Sequence, residues 1–205
     1  MKLYTYPRAP NPRRVHVYLA EKGLSIPLEH VDILKRENRR PAFLRDVNPL
    51  GGIPVLELDD GTQLAESVAI CRYLEALHPE PPLFGRTPRE QGLVEMWIRR
   101  VELNLMVPVG MVWLHGSPLT AGVVKRQIPE VADTYRAVVR RGFGLLDDAL
   151  ATRPFLAGEG FSMADILALC TLDFASELNG LPVPGEAAHL SRWYADVSAR
   201  PSARG

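Results

Sequence analysis

The sequence predicts an α/β domain followed by an all-helical one, and three observations carry that prediction. Over residues 1–79, short apolar runs alternate with segments of helical periodicity. Residues 80–88 (EPPLFGRTP) are proline-rich and aperiodic, the signature of a linker. Over residues 89–205 only helical spacing recurs.

In chain order, residues 2–6 read as a strand, and prolines at 7, 10 and 12 then break regular structure. Asn11 before Pro12 predicts a helix N-cap with proline at the first helical position. The helix carries Val15, Tyr18 and Leu19 on one face and ends at Gly23, where a left-handed cap is expected. Residues 26–33 read as a second strand, 35–40 as a polar loop and 41–47 as a short helix. Pro49, Gly51 and Gly52 mark a turn before Ile53-Pro54. Residues 55–58 form a strand, Asp59-Asp60-Gly61 a hairpin turn and 63–65 a second strand. Glu66-Ser67 opens a helix whose apolar face is Ile70, Tyr73, Leu74 and Leu77.

Beyond the linker, Val94, Ile98, Val101 and Leu105 recur at helical spacing, as do Val139, Phe143, Leu146 and Leu150. Pro108 is expected to end or kink the first of these helices. Ser162-Met163-Ala164-Asp165 is a capping box with Asp at its last position, and Phe161 with Ile166 fits a hydrophobic staple.

The 205 residues are 46% apolar and 23% charged, the balance of a soluble globular protein. With 24 basic and 24 acidic residues the formal charge is zero, which gives no electrostatic pull toward nucleic acid or a membrane surface. No apolar run spans a bilayer and no signal-peptide pattern opens the chain, so a cytoplasmic location is expected. Cys71 and Cys170 share no CxxC spacing and read as reduced packing residues. The five histidines show no metal-ligand spacing, and no metal is expected.

Two features of residues 48–77 are chemical as well as structural. Ile53-Pro54 before a strand is a candidate cis peptide, which would turn the Ile53 amide and carbonyl outward toward a peptide-like ligand. Glu66-Ser67 at a helix start offers amides, a hydroxyl and the positive end of a dipole, a site for a carboxylate. A hairpin followed by a capped helix accounts equally for the same residues.

The stretch NPLGGIPVLELDDGTQLAESVAICRYLE resembles the glutathione-binding half of the cytosolic glutathione transferase superfamily. APNPRRVHVYLAEKGL, FLAGEGFSMADI and RWYADVSARPS resemble its other motifs, in the same order. The resemblance implies a thioredoxin-like N-terminal domain (1–79), a linker (80–88), an all-helical domain (89–205) and a homodimer. It implies a transferase that conjugates glutathione to small hydrophobic electrophiles, a detoxification activity with glutathione as co-substrate.

Glutathione's thiol has a pKa near ~8.5, and the thiolate is the nucleophile. Lowering that pKa by about two units requires roughly 2.7 kcal/mol of preferential thiolate stabilisation. The resemblance places Ser67 and Glu66 at the γ-glutamyl end, and Ile53 and Pro54 at the cysteinyl backbone. One of Asn38, Arg39 and Arg40 is expected at the glycyl carboxylate. Where related classes carry a serine or cysteine beside the sulfur, this chain has Ala9 and Pro10. Asn11 is left as the candidate for the thiolate, by its side chain and the helix start, with Arg13 and Arg14 expected to supply the first backbone donors. Asn11 reads equally as a plain N-cap. Tyr4 and Tyr6 are further hydroxyl candidates.

The electrophile is expected in a cleft between the domains, with Arg8, Met106, Met111, Trp113 and His115 as candidate lining. Two alternatives within the same fold stay open: a glutathione-dependent disulfide reductase or peroxidase, and a non-catalytic glutathione-binding scaffold.

Overall fold

The computed structural model describes residues 1–7 and 9–204. The chain divides into two compact units, Met1–Leu83 and Phe84–Arg204. In the first, the elements are β1 (Lys2–Thr5), α1 (Pro10–Lys22), β2 (Leu28–His30), α2 (Pro41–Asp46), β3 (Val55–Glu57), β4 (Gln63–Ala65) and α3 (Ser67–Leu77). They build one four-stranded mixed sheet in the order β2-β1-β3-β4. Strand β1 pairs parallel with β2 and antiparallel with β3, and β4 returns antiparallel on β3. Leu3, Leu56, Ile70 and Leu74 are buried together with Val15 and Tyr18 of α1.

Strand β2 is shorter than the spacing predicts. Its three residues lie at the sheet edge and are all exposed, so only β1 holds them. No second neighbour extends the ladder over residues 26–33.

Helix α1 begins earlier than expected. Its N-cap is Ala9, in extended conformation, and Pro10 rather than Pro12 is the first helical residue. Asn11 therefore lies inside the first turn and is not the cap. The reason is the preceding tight turn, where the Ala9 amide bonds to the Tyr6 carbonyl at 2.9 Å and brings the chain round early. The helix buries two cations on its apolar stripe, Arg14 and Lys22. Lys22 ion-pairs with Glu75 at 2.6 Å and donates to the carbonyls of His78 (2.7 Å) and Pro81. Tyr18 donates to the same Glu75 carboxylate at 2.6 Å. The end of α1 is thus tied to the end of α3 and to the chain that follows.

The second unit is helical throughout: α4 (Pro88–Val101), α5 (Val107–Gly116), α6 (Pro129–Leu150), α7 (Met163–Asn179) and α8 (Ala188–Ser198). A Thr87/Glu90 capping box starts α4, each residue's side chain serving the other's amide at 3.2 Å. Pro108 does not end the helical run. A π turn (Glu102–Met106) joins α4 to α5, the Val107 amide reaches back to the Glu102 carbonyl, and Pro108 sits in the first turn of α5.

Because Pro108 has no N–H, it cannot give the usual i→i−4 bond to the carbonyl of Asn104. Helix α6 approaches closely at this point, and a Cβ built on Gly142 would lie 2.5 Å from the Asn104 oxygen. Gly142→Ala is therefore expected to destabilise the protein by about 2 kcal/mol, although alanine is the better helix former. Thermal unfolding of the variant, with Gly144→Ala (no neighbour within 4 Å) as its control, checks this.

Helix α7 is the core of the second unit, with residues 162–172 all buried. Its start is organised by Asp165, which is fully buried. The carboxylate accepts from the amides of Leu156 and Ser162 (3.0 Å each), the Ser162 hydroxyl (2.9 Å) and Trp193 Nε1 (3.0 Å). Helix α8 is thereby docked on α7.

Candidate active site

The first unit carries the candidate glutathione-binding residues on three segments, and each is shaped by local bonds. The turn before β3 is held from both sides. Asn48 accepts from the Leu50 amide at 3.0 Å and donates to the Gly52 carbonyl at 2.9 Å. Asn38 donates to the Gly51 carbonyl at 2.7 Å, and Arg39 to the Leu50 carbonyl at 3.0 Å. Gly51 has φ of 65°, and a Cβ there would lie 2.8 Å from both the Asn38 carbonyl and Arg39 Nη1. Arg40 pairs with Glu37 at 3.1 Å and is largely exposed. Of the three loop candidates, Asn38 and Arg39 thus serve the turn.

That turn delivers Ile53 and Pro54. Their peptide bond is cis. The β3 register begins only at Val55, opposite Tyr4 and Ala65, so half-buried Ile53 lies beyond the last paired residue.

The third segment is the start of α3. Glu66 is its N-cap with φ of 69°, a left-side conformation rare outside glycine, and its side chain makes no cap bond. The first turn carries no acidic residue. Ser67, the first helical residue, is 6% exposed, and its hydroxyl oxygen lies 3.4 Å from Nη1 of Arg14. The first turn of α3 thus joins the amide end of a helix to a buried hydroxyl in contact with a cation. Such an arrangement binds a carboxylate.

At the start of α1, two of the first three helical residues are prolines. Arg13's amide is bonded to the Ala9 carbonyl at 3.0 Å, and that of Arg14 lies within the helix. This corrects the expectation that these two supply the first donors. Asn11 carries the only amide hydrogen among the first three positions, and its side chain is exposed. Ala9 brings neither a hydroxyl nor a thiol.

The remaining candidates are placed as follows. Tyr4's hydroxyl donates to Glu57 at 2.8 Å, and the Tyr6 ring packs on His30 with centroids 5.3 Å apart. His16 bonds Thr5 Oγ1 through Nε2 at 2.7 Å, and burial lowers its pKa below the ordinary histidine value. Arg8 lies outside the described residues. In the second unit, Met106 closes the π turn, and Met111 is half-buried on α5. Trp113 packs edge-on against Phe174 at 5.4 Å, and His115 Nδ1 accepts from the Ile128 amide at 3.2 Å. Cys71 and Cys170 are buried, form no disulfide and lie in separate units.

Arg14, expected to contribute only its backbone amide, instead meets Ser67 with its side chain. The signal was present, since Arg14 lies four residues before Tyr18 and so falls on the apolar stripe of α1.

Residues 3–82 match the family model of the glutathione S-transferase N-terminal domain, and residues 112–201 that of its C-terminal domain. Glutathione S-transferase 2 of Saccharomyces cerevisiae is 40% identical over 207 residues, spanning 100% of this chain and 88% of that one. This chain belongs to the glutathione S-transferase family. The crystal structure of Gtt2 from Saccharomyces cerevisiae superposes with a TM-score of 0.93 at 40% identity, over 100% and 99% of the two chains. A glutathione S-transferase domain-containing protein of Marinobacter aquaeolei gives the same TM-score at 38% identity, over 99% and 100%.

The glutathione S-transferase fold expected from the sequence is therefore the fold observed. No helix among the described residues is long and apolar enough to cross a membrane, and no cluster of His, Cys, Asp and Glu there could hold a metal ion.

Proposed function

We propose that this glutathione S-transferase binds glutathione on its first unit and adds the thiolate to small hydrophobic electrophiles. The observation that carries the reading is the start of α3. A buried Ser67 hydroxyl and uncapped amides stand beside a cation, in a helix turn kept free of acidic side chains. The γ-glutamyl carboxylate fits there, with the exposed Glu66 carboxylate near the ligand's amine. Ile53 extends β3 by one pairing position for the cysteinyl backbone, and Pro54 fixes its direction. Arg40 takes the glycyl carboxylate on a loop shaped by Asn38 and Arg39.

The sulfur lies at the start of α1, where Asn11 offers two donors, its backbone amide and its side-chain amide. Hydrogen bonding to the charged form and the helix dipole both favour thiolate over thiol. No proton acceptor is needed once the bound pKa falls near the working pH. Met106, Met111, Trp113 and His115 of the helical unit are the candidates for electrophile contact. The protein acts as a cytoplasmic homodimer in detoxification.

The test is the pKa of the bound thiol, read from thiolate absorbance against pH. The wild type is expected well below the free value. Asn11→Ala removes the side-chain donor and keeps the backbone amide, so it is expected to raise that pKa by about one unit without restoring the free value. An undepressed wild-type pKa overturns the mechanism.

A second reading has one observation in its favour, the absence of hydroxyl and thiol at Ala9 and Pro10. It makes the protein a glutathione-dependent disulfide or peroxide reductase. Turnover of a glutathione mixed disulfide without conjugation of an aryl halide would select it. Failure to bind a glutathione resin would leave a scaffold.

A further inference from the structure

We propose that Arg14 is the positioning residue of the γ-glutamyl carboxylate site, acting through the Ser67 hydroxyl; the inference rests on the glutathione-site reading above. Arg14 lies in the second turn of α1 and is 3% exposed. Its Nη1 is 3.4 Å from Ser67 Oγ, across 53 residues of sequence. A guanidinium only donates, whereas a hydroxyl has one proton and two lone pairs. With Arg14 as donor, Ser67 must accept on the protein side, so its own proton is directed away from Arg14. The carboxylate of the proposed site accepts that proton at the amide end of α3.

One effect follows. The hydroxyl is polarised by a charged donor, which strengthens the bond it gives to the ligand. The sequence supports a specific role for this side chain. Arg13 beside it is half-exposed, while Arg14 occupies an apolar-stripe position at which a leucine or methionine would pack without desolvating a charge.

The test pairs a change in the protein with a change in the ligand. Calorimetric titration compares glutathione with its analogue carrying 4-aminobutyryl in place of γ-glutamyl, which lacks only the carboxylate in question. Arg14→Met is expected to weaken glutathione roughly tenfold or more, the scale of a lost charge-assisted bond. It should leave the already weaker analogue nearly unchanged. Arg14→Lys keeps the cation and serves where Arg14→Met does not fold. It is expected to lose a few-fold on glutathione alone.

Equal losses on the two ligands, in either variant, would mean that Arg14 matters only for packing and would overturn the proposal. Unchanged glutathione affinity overturns it as well. Wild-type protein that binds neither ligand counts against the glutathione site itself, so the two failures are distinguishable.

Discussion

Ser67→Ala is expected to raise the dissociation constant for glutathione between about tenfold and a hundredfold, the worth of one hydrogen bond to a charged group. Three features put the effect at the upper end. The hydroxyl is 6% exposed, so water replaces it poorly. It lies in the first turn of α3, where the dipole and the amides already favour an anion. Its other face meets Arg14, which would be left beside a methyl group. The fold should survive, because Ala replaces Ser at a helix start whose cap is Glu66. Equilibrium titration with glutathione, beside a thermal melt of the same sample, separates binding from stability. Affinity within twofold of wild type would remove Ser67 from the site.

The largest stability effect is expected at Asp165. Its two oxygens accept from four donors on three segments, the Leu156 amide, the Ser162 amide and hydroxyl, and Trp193 Nε1. Asp165→Asn keeps the shape, but its NH2 group must face one pair of donors, and of the four only the Ser162 hydroxyl can turn to accept. At least one buried amide is left donor against donor, and at 1–3 kcal/mol for an unsatisfied buried group the loss is about 3 kcal/mol, or roughly 9 °C in Tm for a chain of this length.

The effect depends on pH in a definite direction. Burial pushes the Asp165 carboxyl up to about 6, against the donors that pull it down. The folded value thus lies above the unfolded one, near ~3.9. Folding takes up a proton between those values, so this group's contribution is greatest at low pH and is lost as pH rises through 6. Ser162's hydroxyl is the neighbour able to turn from donor to acceptor and take that proton. Asn cannot titrate. The gap between wild type and Asp165→Asn should therefore be wider at pH 5 than at pH 7. Chemical denaturation at both pH values measures it, and a gap that narrows on acidification would contradict the assignment.

Much of this was legible in the sequence because it depends on local chemistry. Val94, Ile98, Val101 and Leu105 are buried as their spacing requires, and so are Val139, Phe143, Leu146 and Leu150. Gly23 is the left-handed cap of α1, and Ser162 to Asp165 organises the start of α7. The Thr87/Glu90 box was equally readable, as Thr-x-x-Glu before an apolar run. At Pro108, where an end or a kink is expected, regular α4 has already stopped at Val101 and a π turn carries the chain into α5.

The sequence by itself determined the element order, the turn before Ile53-Pro54, the start of α3 and the family, since spacing, capping and turn chemistry act within a few residues. Only the tertiary structure decided which polar groups meet. It set the N-cap of α1 at Ala9, after a turn in which the Ala9 amide bonds the Tyr6 carbonyl, and not at Asn11. It engaged Asn38 and Arg39 on the Gly51 and Leu50 carbonyls, and it set Arg14 behind Ser67. The Arg14–Ser67 contact joins residues 53 positions apart, and its geometry comes from packing α1 and α3 together, which no local preference encodes.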